Sequence, residues 1–222
     1  MLIIQRIYNL SGKATRKLRD KRARKRFHNP GVSIISSNCV AGVLYHSLNL
    51  QFRSPTINLW FENEDFIKFC EHLEHYLSLE LTDVRMGEKE HPHPIGYLED
   101  VKIYFLHYHS IEEAREKWND RKKRVDFQNI RIIHTDRDGY TEALERRFFQ
   151  LNYPKILYCS ENRGGGYKGI ILQRPDRIRQ EQVGPITSYG DLLGRKNYEK
   201  GIDIIEFLNS GDCITRKELR NE

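Results

Sequence analysis

Residues 129–141 read NIRIIHTDRDGYT, and this stretch constrains the fold more than any other. Ile130, Ile132 and Ile133 form a β-branched run of the kind a buried strand requires. The run stops in Thr135-Asp136-Arg137-Asp138-Gly139, which is good turn chemistry, and a helical pattern follows over 141–151 with Thr141 as its cap. In a parallel α/β sheet, such a carboxyl strand end opens onto the crevice where ligands bind.

The same strand-then-helix order recurs along the chain. Strands are expected at 32–35, 56–61, 101–106, 129–134 and 155–159, with an edge strand at 169–172. Helices are expected at 43–48, 66–79, 111–124, 141–151 and 198–208. Ser110 with Glu113 marks the start of the third of these as a capping box. The alternation predicts an α/β fold: three layers, a largely parallel Rossmann-like sheet and helices on both faces. A content of 38% hydrophobic and 11% aromatic residues is enough for a core. Four scattered cysteines without a CxxC pair suit a reducing cytoplasm, and no apolar run approaches a membrane span.

Charge is distributed unevenly. Residues 1–30 carry ten Lys/Arg against the single acid Asp20, so within a chain of net +6 the remainder is net negative. Ile3, Ile4, Ile7, Tyr8, Leu10, Ala14 and Leu18 recur at roughly helical spacing before the basic run. This predicts a basic amphipathic arm over 1–30, a single α/β domain over 31–209 and a polar tail over 210–222. The arm suits an anionic membrane surface, which would make the protein cytoplasmic and peripheral at the inner membrane face. An equally simple reading docks it on the body as a solvated basic helix. Nucleic acid is not expected, because the body is acidic and no recognised binding motif is present.

The strings SIISSNCVAGVLYHSLNLQFRSPTINLWF (33–61), DFIKFCEHLEHYL (65–77), YLEDVKIYFLHYHSIEEAREKWNDR (97–121), NIRIIHTDRDGYT and the C-terminal GRKNY…IIEFLN carry a resemblance. Together they resemble a bacterial family of unknown function often described as exopolysaccharide or capsule biosynthesis proteins, over about residues 31–209. The resemblance implies a soluble protein working beside the glycosyltransferases that assemble surface polysaccharide, and it brings no assigned catalytic residues. The chain departs from the family at Tyr140, where a cysteine is expected.

Four constellations carry candidate chemistry. Asp136 and Asp138 form a D-x-D that could hold Mg2+ or Mn2+ on a sugar-nucleotide diphosphate, with Arg137 on the phosphate. Twelve aspartates make roughly 0.6 such matches by chance, so position rather than spacing raises this one, and a plain structural turn competes. Ser37, Asn38 and Cys39 lie between a strand and a helix, where an anion is favoured and a thiol pKa can fall. His107, after the third strand, is a candidate base beside Asp138, although a structural role for it is favoured. Arg195 and Lys196 could close on phosphate. Trp60 and Trp118 are read as core rather than as sugar platforms. The leading expectation is a transferase acting on a nucleotide-activated sugar or a lipid-linked glycan. The alternatives are a non-catalytic docking partner of a glycosyltransferase and a glycan-modifying acyltransferase or hydrolase using Cys39 or a serine.

Overall fold

The computed structural model describes residues 2–88, 92–161 and 166–214, the side chains of 2–11 and 14 excepted. The chain begins with α1 (Leu2–Arg26), β1 (Ser33–Ser36) and α2 (Val40–Leu48). Helices α3 (Asn63–Glu71) and α4 (Leu73–Ser78) lead into β2 (Thr82–Met86), β3 (Pro94–Leu98) and β4 (Val101–Tyr104). Then come α5 (Ile111–Lys122), β5 (Ile130–Thr135), α6 (Glu142–Gln150), β6 (Lys155–Ser160), β7 (Ile170–Gln173) and α7 (Ile204–Ser210).

Strands β1, β5, β6 and β7 form one sheet in that spatial order, and every pair is parallel. Alternate residues feed two cores. Ile35, Ile130, Ile132 and Leu157 join Phe66, Phe69, Trp118 and Phe148 from α3, α5 and α6. Ile34, Ile133, Ile156 and Tyr158 join Val40, Leu44 and Phe207 from α2 and α7. A sheet covered on both sides needs apolar residues at consecutive positions, which is why β5 reads as an isoleucine-rich run.

Several expected elements take other forms. The 101–106 strand lies in a separate antiparallel sheet of order β2-β3-β4, whose first two strands were not expected. The 56–61 strand shrinks to one bridge between Trp60 and Tyr104, because Asn58 turns the backbone to φ 61°. The 66–79 helix breaks at His72 (φ −126°, ψ 42°) into α3 and α4. Over 198–208 the chain makes a single 3-10 turn (Asn197–Glu199), then Gly201 at φ 78°, and only then α7, capped by Asp203. Both other side-chain caps form, but the expected box at Ser110 is half made, because Glu113 accepts the His109 N–H at 3.0 Å in place of the Ser110 N–H. Thr141 Oγ1 accepts the Leu144 N–H at 3.3 Å and Ser110 Oγ accepts the Glu113 N–H at 3.1 Å. Ser110→Ala should therefore cost about 1 kcal/mol, read as a lower denaturation midpoint at an unchanged m-value.

The basic segment is not a freestanding arm. Arg16 pairs with Asp20 at 2.7 Å and Glu199 at 2.5 Å, and it donates to the Tyr198 hydroxyl at 3.0 Å and to Ser47 at 3.2 Å. Ala23 and Phe27 pack on the second core. A Cβ at Gly12 would lie 2.7 Å from the Tyr189 ring, so a glycine is what lets the helix approach this closely. From Gly12 onward α1 belongs to the body, so the expected boundary at residue 30 does not separate it. The polar tail beyond residue 214 lies outside the described residues.

Candidate functional site at the carboxyl ends of β1 and β5

A cavity of about 260 Å3 opens where β1 and β5 end. Ser37, Asn38 and Cys39 form one side, Thr135, Arg137 and Asp138 the next, Trp60, Phe61 and Asn63 a third, and Pro185 to Thr187 the last. The two strand-end turns therefore share one cavity. Trp60 departs from expectation: Trp118 is core at 1% exposure, whereas Trp60 is half-buried in the cavity wall and packs on Tyr104 at 4.6 Å.

The site contains a residue the sequence reading passed over. The register Ser36↔Ile133 runs on to bring Ser37 beside His134, whose Nδ1 lies 2.8 Å from the Ser37 Oγ. His134 is fully buried, stacked on Phe66 at 4.7 Å and edge-on to Tyr140 at 5.2 Å. Burial holds its pKa down at about 3, so the ring is neutral at physiological pH. Among the described residues, its Nε2 is buried without a hydrogen-bond partner. An orphaned N–H costs more than an orphaned lone pair, so the proton belongs on Nδ1, donated to Ser37. Ser37 then keeps its own hydroxyl proton to present to a ligand oxygen. Tyr140, at the position where the family resemblance expects cysteine, forms part of the cage around this ring.

The two aspartates of the D-x-D turn have different surroundings. Asp136 is 2% exposed. One of its oxygens accepts the Ser160 N–H at 2.8 Å and the other accepts the Val183 N–H at 2.7 Å. It ties the segment over 182–187, one wall of the cavity, to the sheet. Asp138 lines the cavity and pairs with Arg179 at 3.1 Å, in a left-handed turn (φ 60°) continued by Gly139 (φ 86°). The Asn63 amide spans this turn, donating to the Arg137 carbonyl at 2.7 Å and the Asp138 carbonyl at 3.1 Å. Arg137 reaches the Val183 carbonyl at 2.7 Å and Asp176 at 3.3 Å. The pair therefore does not present two carboxylates to a divalent cation, and among the described residues no group of three His, Cys, Asp or Glu gathers as a metal site.

The turn before α2 is also partly self-satisfied. Asn38 Oδ1 accepts the Val40 N–H and Ser36 Oγ accepts the Ala41 N–H, so two amides expected to favour an anion are taken. Burial pushes the Cys39 thiol up rather than down, against the expectation from a helix start. Cys39 should accordingly react with iodoacetamide at neutral pH more slowly than free cysteine. Alkylation at the free-thiol rate would contradict this environment.

The remaining candidates lie elsewhere. His107 is exposed just beyond β4, where its backbone N–H donates to the Asn58 carbonyl at 3.3 Å, and it is not among the cavity residues. Arg195 and Lys196 sit near the docked α1: Arg195 pairs with Asp191 and Lys196 lies over the Tyr189 ring. Burial lowers the Lys196 pKa. A larger cavity of about 500 Å3 opens at the opposite, amino ends of β5 and β6. The cation on its lining, Arg131, donates to the carbonyls of Ile130, Phe207 and Asn209, which takes three of its five N–H groups.

A family model described as "Domain of unknown function (DUF1919)" matches residues 10–209, which takes in the docked half of α1 as well as the cavity. A protein of Haemophilus influenzae, described as an uncharacterized protein, is 32% identical over 205 residues, covering 92% of this chain and 97% of that protein.

Proposed function

The chain belongs to the DUF1919 family, and we propose that the β1/β5 cavity is the sugar site of a transferase that works on a nucleotide-activated sugar or a lipid-linked glycan in surface-polysaccharide assembly. The observation that carries this reading is the pairing of Trp60 with hydrogen-bonding groups across the cavity: the Ser37 hydroxyl, Asn38, Asp138 and Thr187. A sugar ring has C–H faces that pack on an aromatic ring and an equator of hydroxyls that needs such partners. Size supports a single ring. At about 260 Å3 the cavity falls just under the range of ~300–1,000 Å3 typical of small-molecule sites. The rest of a donor would lie along the open mouth.

In this scheme Asp138 accepts the proton of the incoming hydroxyl as the bond from sugar to phosphate breaks. Arg137 faces the charge that develops on the departing phosphate. Because Asp136 is committed to backbone amides, no step is assigned to a divalent cation. The polysaccharide context rests on the sequence resemblance, and the partner glycosyltransferases on the same footing.

A second reading, acyl transfer or hydrolysis through Ser37, draws on the 2.8 Å contact with His134. It is the weaker one, because a ring held neutral down to a pKa of about 3 is a poor general base near pH 7. A thermal-shift screen of sugar nucleotides, monosaccharides and acyl esters separates the two, since a ligand that binds only the folded state raises its melting temperature. Stabilisation by sugars that Trp60→Ala removes supports the transferase. Stabilisation by acyl esters alone, with covalent labelling of Ser37, contradicts it.

A further inference from the structure

Docking turns one side of α1 inward and leaves the other in solvent. Lys13, Lys17, Lys21, Arg22, Arg24 and Lys25 are all exposed, and among the described residues none of the six forms an ion pair. Spacings of three and four residues place Lys13, Lys17, Lys21 and Arg24 in one row. The only acid of the first 30 residues, Asp20, faces Arg16 on the docked side. Like charges in such a row repel one another. Among them sits Leu18, 54% exposed, and the sequence of the same helix begins with Ile3, Ile4, Ile7 and Leu10.

We propose that this outer face of α1 rests on an anionic lipid surface, its cations on lipid phosphates and Leu18 at the headgroup boundary. The inference does not depend on what the cavity binds. Charge complementarity alone would also admit nucleic acid, but two observations favour lipid. Leu18, exposed among the cations, has no use on a phosphate backbone. The rest of the chain is net negative, which a flat membrane touching only α1 avoids and a nucleic acid bending round the body does not.

The test uses the full chain with vesicles of phosphatidylcholine alone and of phosphatidylcholine mixed with phosphatidylglycerol. Wild type should sediment with the mixed vesicles and not the neutral ones, and added salt should release it. The variant K17E/K21E/R24E should bind the mixed vesicles on the order of a hundredfold more weakly. Its melting temperature should be unchanged, because none of the three side chains holds the helix on the body. Equal sedimentation with both vesicle types, or a variant that binds like wild type, overturns the proposal. So does tighter binding of wild type to duplex DNA than to anionic vesicles at the same salt.

Discussion

Asp136→Asn should lower the melting temperature by about 10 °C, while Asp138→Asn should change it by no more than about 2 °C. The two carboxylates are close in sequence, but their environments differ. Asp136 is 2% exposed and accepts two short backbone N–H bonds, from Ser160 and Val183, one on each oxygen. Asparagine replaces one of those acceptor oxygens with an NH2 that points at a backbone donor. Losing a charge-assisted bond and burying an unpaired amide together cost roughly 3–5 kcal/mol. Asp138 has an ion pair with Arg179, with side chains 40% and 60% exposed respectively, worth about 0–1 kcal/mol. Asparagine also tolerates the φ of 60° that this position adopts. Activity should show the reverse order: Asp138→Asn stays folded and loses transfer, while the residual folded fraction of Asp136→Asn keeps it. An Asp136→Asn protein that melts like wild type but loses a divalent-dependent ligand response would restore the paired-metal reading.

The second large effect is on acid stability. His134 has a folded-state pKa of about 3, against about 6.5 for an unperturbed imidazole. The unfolded chain therefore takes up a proton that the folded protein refuses. Stability from this group is complete above about pH 6.5 and is lost as the pH falls towards 3, on the order of 5 kcal/mol across the window. Between pH 7 and pH 5 the loss is about 2 kcal/mol. His134→Gln cannot titrate, yet it can still donate to Ser37. It should be less stable than wild type at pH 7 and should lose about 2 kcal/mol less on going to pH 5. Denaturant titrations at the two pH values give the comparison directly, since the carboxylates common to both proteins cancel. Parallel pH profiles for the two would contradict the buried neutral ring.

The parts of this fold that local chemistry determines could be read from the sequence. The isoleucine-rich run of β5, the cap at Thr141, the cap at Ser110 and the turn Asp138-Gly139 all lie where residue type alone places them. What could not be read depends on contacts between distant segments. Ser37 and His134 are 97 residues apart and become neighbours only because β1 pairs with β5. Both strands were legible separately, but their pairing was not, and without it His134 looks like one more residue on a buried strand. Asp136 shows the same limit. Its partners, Ser160 and Val183, are 24 and 47 residues downstream, so the sequence displayed a D-x-D and concealed that one carboxylate is a structural clamp. Trp60 reads as core because nothing in the sequence signals that Asn58 turns the chain and leaves this residue on the cavity wall.

The sugar-site reading is tested most directly by the intrinsic fluorescence of Trp60. The chain has two tryptophans, and Trp118 is 1% exposed in the core, so a ligand-dependent change reports on Trp60, which lines the cavity. Titration with sugar nucleotides and with glycan fragments should give a saturable change in intensity or wavelength for at least one of them. Ser37→Ala should weaken that response by roughly tenfold, the effect of losing one hydrogen bond of about 1.4 kcal/mol. No saturable change with any sugar, in a protein that remains folded, would contradict the account.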